Sequence, residues 1–269
     1  MSGQPASVAG ANAQVAGGKV VAGGDGVRRL AWLTGVSTAA LGLAAFAVIS
    51  LGRSLITMTY LNVKFFDQVD PFSRAVSYYV FVDQARRLFT ATLFTVVLAT
   101  IAVLAGIRWI GIRLGGPTVV FFGVWCVSLT LCAIFPTDDA PTIQSASGMI
   151  HQIAGASLFV SLPLAGSALA YRLRAYPGWE RVARIVRRTS LIAAGLALSY
   201  LIARLPDLYP SLVFVDFFDA RGISGLIQRV LFGLEIVVLM ILAVRLLEAC
   251  AVKMRDRRRR TRAIAGSTP

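Results

Sequence analysis

Side chains of the types used in catalysis gather near the ends of the apolar runs in this sequence. His151 is the only histidine, and 12 residues separate it from Asp138. An aspartate can accept a hydrogen bond from one imidazole nitrogen and so fix the tautomer of the ring. Together with Ser77 they supply the residue types of a nucleophile, a base and an orienting acid. These three are the candidate catalytic residues, with His151 as general base.

A second group of polar side chains predicts ligand binding near the same boundary. Arg229 and Arg204 are suited to phosphate or carboxylate, and Gln228 adds an amide beside Arg229. Asp139 or its neighbour Asp138 is the expected ion-pair partner of Arg229. The group predicts a site for an anionic headgroup or small solute. The alternative is a salt-bridged latch that ties loops to helix ends.

A single histidine restricts metal and cofactor chemistry. It excludes a haem held by two histidines and a histidine-rich zinc site within one chain. His151, Asp138, Asp139 and a further aspartate would satisfy a metal by ligand count alone. The sequence holds no Walker A, GxSxG or HExxH motif. We therefore assign no metal and no cofactor.

The elements that must position these residues are membrane-spanning helices. The 269 residues are 57% hydrophobic and 15% charged, against about 25% charged in soluble domains, and the mean hydropathy is +0.72. Runs of about 20 mostly apolar residues are long enough to cross a bilayer. Six such runs cover residues 30–51, 88–107, 117–135, 149–171, 189–203 and 223–244. They predict an all-α, multi-pass membrane bundle of six transmembrane helices.

The distribution of charge predicts the orientation of this bundle. Of the 27 Lys and Arg residues, 19 fall with four acids on the side that holds both termini, and eight fall with eight acids on the other. Cytoplasmic loops are enriched in Lys and Arg, so both termini are expected in the cytoplasm. The basic run after the last span then anchors the chain to anionic lipid, and no nucleic-acid partner is implied. The predicted regions are a flexible tail 1–27, a transmembrane domain 28–250 and a basic tail 251–269.

The connection between the first two spans is long and aromatic. It covers 36 residues, 52–87, and its composition is typical of an interfacial segment. Asp70 followed by Pro71 is a helix-start signal, which predicts a short helix from about Pro71 into the second span.

Glu235 is the charged residue farthest from either end of its span. Arg229 lies six residues earlier and therefore on another face of the helix. An ionised carboxylate at this depth is costly. The side chain is expected either to be neutral and bonded to Ser199 or Tyr200, or to serve as a proton site in coupled transport.

Four short motifs in order resemble a bacterial and archaeal membrane family, domain of unknown function 998. They are 70-DPFSRAVS-77, 135-FPTD-138, 148-GMIH-151 and 225-GLIQR-229. The similarity extends over about residues 30–248. The family has no assigned activity, so the resemblance implies the six-helix architecture and draws attention to Ser77, Asp138, His151 and Arg229. Asp139 and Glu235 are not part of its pattern.

The favoured hypothesis is a protein of the bacterial inner membrane that binds or moves a lipid or small anionic solute at the outward-facing polar site. Only three of the 27 cations are lysines, which is typical of a GC-rich bacterial genome. One alternative is a membrane-embedded hydrolase or transferase with His151 as base. Another is a structural membrane subunit. Expected partners are membrane lipids, with a homo-oligomer or another membrane protein as further partners.

Overall fold

The computed structural model describes residues 24–139, 143–203 and 222–265, and every regular element in these ranges is helical. The chain divides into two compact units, Met1–Gly35 and Val36–Pro269. In the first unit the backbone described, from Gly24 onward, is helical. The second unit contains the candidate membrane spans.

The described ranges contain six long helices, and each has a stretch long and apolar enough to cross a membrane. They are α1 (Gly24–Lys64), α2 (Asp83–Trp109), α3 (Gly116–Ile134), α4 (Ala146–Leu173), α5 (Glu180–Ala203) and α6 (Ser224–Ala265). A short 3-10 helix, Val76–Phe81, precedes α2. The predicted bundle of six transmembrane helices is confirmed. Because α6 continues to Ala265, the described part of the predicted basic tail is helical.

The first span differs from its prediction. The run of uncharged residues ends at 51 because Arg53 follows, yet α1 continues to Lys64 and its candidate span is Thr38–Lys64. The buried face of this continuation consists of Leu51, Ser54, Met58 and Leu61. Their spacing of three and four residues places them on one side of a helix. Burial of that face favours a helix that runs past the arginine, which lies on the exposed side.

The prediction of a helix from Pro71 into the second span is wrong, although Asp70 does cap a turn at the predicted start. The Asp70 carboxylate accepts hydrogen bonds from the backbone N–H of Phe72 (3.0 Å) and of Ser73 (3.3 Å), and from the Ser73 hydroxyl. The Arg74 N–H closes the turn on the Asp70 carbonyl at 3.0 Å. These bonds, the Ser73 hydroxyl first, hold the pKa of Asp70 below its usual value. The turn nevertheless ends there, and the backbone at Ala75 is extended.

The turn ends because its carbonyl groups bond to α6 rather than to the next turn of a helix. The Phe72 carbonyl accepts from the Leu226 N–H at 3.0 Å. The Ser73 carbonyl accepts from the Ser224 hydroxyl at 3.3 Å. The Arg74 carbonyl accepts from the Arg229 guanidinium at 2.6 Å. We call residues 70–77 the docked loop, since α6 holds this segment through its backbone.

The same end of the bundle carries the connection between α3 and α4. The Arg74 guanidinium in the docked loop lies 3.7 Å from the Asp139 carboxylate in that connection. We call this the His151 end of the bundle, because His151 lies in the second turn of α4.

The opposite end holds the connections between α2 and α3 and between α4 and α5. The Arg113 N–H, between α2 and α3, donates to the Tyr176 hydroxyl, between α4 and α5, at 3.0 Å. The Lys253 ammonium of α6 donates to the Ile110 carbonyl at 3.4 Å. The four connections that precede α5 thus alternate between the two ends of the bundle, as expected for consecutive spans. Which end faces the cytoplasm stays a prediction.

The docked loop yields a prediction at Gly225, where the backbones of the loop and α6 come close. A Cβ atom there would overlap the carbonyl oxygens of Arg74 and Phe72, whereas at Gly233 it would meet nothing within 4 Å. We expect Gly225→Ala to destabilise the fold by about 1–3 kcal/mol, the usual cost of overpacking. Gly233→Ala should be neutral or stabilising by up to about 1 kcal/mol because alanine favours helix.

Unfolding of both variants in detergent micelles by increasing denaturant gives the comparison. Equal stability of the two variants would show that the loop is not held against α6 in the manner described.

Candidate functional site

His151 is held by the end of α3 rather than by an aspartate. Its Nδ1 lies 2.8 Å from the carbonyl oxygen of Phe135. A carbonyl can only accept, so Nδ1 carries the proton and donates it. In the neutral ring Nε2 is then the acceptor. The side chain is buried, and the thiol of Cys132 lies 3.8 Å from the backbone carbonyl of His151. The ring therefore has one defined tautomer and one nitrogen not used by the Phe135 bond.

Asp138 closes the connection that leads into α4. Its carboxylate accepts hydrogen bonds from the Ser145 hydroxyl (2.6 Å), the Gln144 N–H (2.8 Å) and the Ser145 N–H (3.2 Å). It also lies against Gly148, where a Cβ would overlap it. Ser145 in turn caps α4 by accepting from the Gly148 N–H at 2.9 Å. These donors, the Ser145 hydroxyl first, lower the pKa of Asp138, with a smaller contribution from nearby His151.

The expected hydrogen bond between Asp138 and His151 is thus not formed, and each side chain bonds to partners of its own. The aspartate bonds to donors of its own loop, and the imidazole bonds to Phe135. The two remain close enough for their charges to interact.

Arg229 does not pair with Asp138 or Asp139. Its Nε donates to the Asn62 side-chain oxygen at 2.7 Å, and its Nη1 donates to the carbonyl oxygens of Pro71 (3.0 Å) and Arg74 (2.6 Å). The guanidinium carbon lies 5.8 Å from the centre of the Tyr79 ring, within the range of a cation–π contact. Nη2 is buried with no partner among the described residues. This guanidinium is therefore occupied in holding the docked loop.

Three of the predicted site residues line one cavity at the His151 end. Its volume is about 60 Å³, and it is partly open. Ser77 comes from the 3-10 helix, His151 from α4 and Gln228 from α6. The full lining is Val76, Ser77, Phe89, Leu93, Leu129, Cys132, His151, Gly155, Leu158, Phe159, Gln228 and Phe232. Most of these side chains are apolar, so the three polar residues are the groups that could orient a ligand there.

Gln228 fixes one wall of this cavity. Its Oε1 accepts from the Val76 N–H at 2.7 Å, and its Nε2 donates to the Tyr200 hydroxyl at 3.3 Å. Both bonds involve buried atoms. The amide therefore connects the docked loop with α5 across α6, and its predicted part in substrate binding stays a prediction.

Two other predicted residues stand apart from the cavity, and a third lies outside the described ranges. Asp139 pairs with exposed Arg74, and Arg204 falls outside the residues that the structure describes. Glu235 has no exposed surface; the indole N–H of Trp125 on α3 lies 3.5 Å from one of its oxygens. Its other oxygen has no hydrogen-bond partner in the part of the chain described. Its role as a proton site stays a prediction.

Asn62, Gly155 and Cys132 take part in this region without having been predicted. Asn62 falls in a stretch that the hydropathy pattern assigns to a loop, although α1 extends through it. It accepts from both Arg229 and the Tyr79 hydroxyl, the latter at 2.8 Å. Asn62 lies four residues after Met58, on the buried face of α1. That spacing is the sequence signal that could have predicted its position. Within residues 24–139, 143–203 and 222–265, His, Cys, Asp and Glu form no group of three that could hold a metal.

The hydrogen bonds of Asp138 predict a dependence of stability on pH. They favour the ionised form, so the folded pKa lies below the unfolded value of about 3.9. The stabilisation is complete above the unfolded pKa and is lost as the pH falls through the folded pKa. We expect Asp138→Asn to lower the Tm at about pH 7 and to lower it much less at about pH 3. Thermal unfolding of the purified protein across this range measures the difference.

Asp139→Asn is the matched control, because among the described residues this neighbouring aspartate makes an exposed ion pair and no other polar contact, and such pairs contribute little. A loss of Tm in Asp138→Asn that stays constant across the pH range would contradict the assignment.

Comparison with known proteins places the whole site within one family. Residues 52–245 match the family described as "Protein of unknown function (DUF998)". The match includes all the cavity-lining residues and Arg229, Asp138 and Asp139. No curated protein and no solved structure is significantly similar to the chain. Since the match covers well over half of its length, the chain belongs to the DUF998 family of proteins of unknown function.

Proposed function

We propose that the cavity at the His151 end binds the apolar part of a small amphipathic molecule, with a membrane lipid as the ligand class. The observation that carries the proposal is the lining itself. Apolar side chains from α2, α3, α4 and α6 surround a partly open space of about 60 Å³. Ligand sites of this kind are mostly apolar, with few polar groups that set orientation.

The polar groups suit a neutral or weakly polar headgroup better than a free anion. His151 Nε2 offers an acceptor, and the Ser77 hydroxyl offers a donor and an acceptor. Arg229, the cation expected to take phosphate or carboxylate, bonds instead to the docked loop. Binding of an anionic solute would therefore need a cation other than Arg229. For this reason we favour a lipid over a small anionic solute as the ligand.

The position of the cavity in the membrane follows from charge. The His151 end carries the connections with balanced charge, and the opposite end carries the excess of arginine. By the enrichment of Lys and Arg in cytoplasmic loops, we place the cavity on the outward side of a bacterial inner membrane.

Gly155 and Gly195 provide a matched pair of variants. A Cβ at either glycine meets nothing within 4 Å, but only Gly155 lines the cavity. Gly195 lies on the exposed face of α5. The probe is diacylglycerol, a lipid with a neutral headgroup, with a photoreactive diazirine on one acyl chain close to its ester. We expect it to label Leu158 or Phe232 in the wild-type protein. Labelling should fall about tenfold in Gly155→Leu, because the new side chain fills the space, and remain unchanged in Gly195→Leu.

Mass spectrometry of the peptides identifies the labelled residues. Labelling confined to lipid-exposed side chains, or equal loss in both variants, would contradict lipid binding in the cavity.

The tautomer of His151 favours one second candidate, a hydrolase or transferase. With Nδ1–H fixed on Phe135, Nε2 is the nitrogen that would accept a proton from a nucleophile. Ser77 lines the same cavity and is the candidate nucleophile. The Phe135 carbonyl would hold the ring as an aspartate does in a catalytic triad.

A fluorophosphonate probe in native membranes tests this candidate. We expect covalent labelling that is lost in Ser77→Ala and falls by about 100-fold or more in His151→Gln, as for loss of a general base. Ser147→Ala is the control, because this serine lies at the same end but outside the lining, with its hydroxyl donating to Pro136. Absence of labelling, or labelling that persists in Ser77→Ala, would contradict the hydrolase or transferase and leave the binding proposal as it stands.

A structural role is the remaining alternative, and the bonds of Arg229 favour it. If neither probe reacts at the cavity, the polar residues of the His151 end serve to hold the docked loop and the start of α4.

A further inference from the structure

α1 has apolar residues in regular spacing on two opposite faces. One face is buried against the rest of the unit and consists of Ala44, Ala47, Leu51, Ser54, Met58 and Leu61. The other is exposed and consists of Phe46, Ile49, Arg53, Ile56, Tyr60 and Val63. Both sets alternate steps of three and four residues, the heptad spacing of helices that pack along their length. The two sets are offset by two residues, or about 200° around the helix. We call the second set the exposed seam.

The exposed seam is apolar except at its middle. Its five apolar members keep 45 to 74% of their surface exposed. Arg53 lies between Ile49 and Ile56 and is also exposed. In the part of the chain that the structure describes, the Arg53 guanidinium makes no ion pair or hydrogen bond.

Arg53 lies deep within the membrane-spanning part of α1. The candidate span is Thr38–Lys64, so the nearer end is 11 residues, or about 16 Å, away. That distance is longer than an arginine side chain. The neighbouring Gly52 approaches Met240, which is 16 residues from either end of the α6 span Ser224–Asp256. A lone arginine at this depth on a lipid-facing surface is strongly disfavoured unless an anion compensates it.

A second copy of the chain does not supply that anion. In a symmetric dimer through this surface each Arg53 would lie near the other, because the same patch contacts itself. Glu235 is the carboxylate closest to mid-membrane in the described spans, and it has no exposed surface. The described spans therefore offer Arg53 no compensating carboxylate, and a transmembrane helix of another protein can carry one.

We propose that the exposed seam of α1 is the docking surface for a transmembrane helix of a different protein, and that this helix carries an aspartate or glutamate that pairs with Arg53. The apolar seam residues pack against the partner, and the ion pair sets its depth and identity. This interaction surface is separate from the cavity at the His151 end, so it stands whatever the cavity binds.

Site-specific photo-crosslinking in the membranes of the native host tests the proposal. A photoreactive phenylalanine analogue replaces Ile56 in the full chain, with Leu198 on α5 as the control, since Leu198 is also apolar and 60% exposed. We expect one crosslinked protein from position 56 and none from position 198. In Arg53→Leu the yield should fall about thirtyfold or more, the effect of removing one partner of a buried charge pair. In Arg53→Lys the yield should be largely retained.

The acidic residue of the captured helix then provides the decisive test. Replacing it with its amide should abolish the crosslink in the wild-type chain. Arg53→Asp combined with arginine at the partner's position should restore it. Crosslinks to a second copy of this chain, to lipid alone, or to nothing would overturn the proposal. The proposal would also be overturned if Arg53→Leu left the crosslinking yield unchanged, or if the captured protein had no carboxylate in its transmembrane span.

Discussion

Backbone carbonyl groups near the membrane boundary need hydrogen-bond donors, and the docked loop depends on α6 for them. Residues 71–74 leave helical geometry after one turn, so their carbonyls lack partners within their own segment. Arg229 donates to two of them, and the start of α6 donates to the others. Each such hydrogen bond contributes about 0.5–1.5 kcal/mol, and about 1.5–3 kcal/mol where the donor is charged, as Arg229 is. This constraint fixes the loop against α6, and the loop then supplies Val76 and Ser77 to the cavity wall.

In the connection between α3 and α4 the roles of donor and acceptor are reversed. There the unsatisfied groups are backbone N–H donors at the beginning of a helix, and Asp138 and Ser145 accept from them. The carbonyl of Phe135 at the end of α3 takes its donor from His151. One consequence is that hydrogen bonds tie the docked loop and the described part of the α3–α4 connection to helices. A second is that the orientation of the imidazole is set by the backbone rather than by another side chain.

Hydropathy was sufficient to predict six helices, because runs of about 20 apolar residues have few other stable arrangements. It failed at α1, where an exposed arginine interrupts the run while the buried face continues beneath it. Charge alone predicts an aspartate as the partner of Arg229. The actual acceptors are backbone carbonyl groups left without a partner by the end of a turn, and a sequence does not reveal those. The composition of the cavity was predictable only in part. Ser77, His151 and Gln228 were found by residue type, whereas Gly155 contributes by the absence of a side chain.

The charged residues of the His151 end and its uncharged ones thus have different tasks. Arg229, Asp138 and Asp139 bond to loops, and none of them lines the cavity. What faces the cavity is a neutral set of polar groups among apolar side chains, and our proposal of a ligand taken from the membrane rests on that composition. Arg229 and Asp138 hold the neighbouring loops in place. The chemistry of the cavity is therefore that of His151 and Ser77, because Gln228 is already bonded to the loop and to Tyr200.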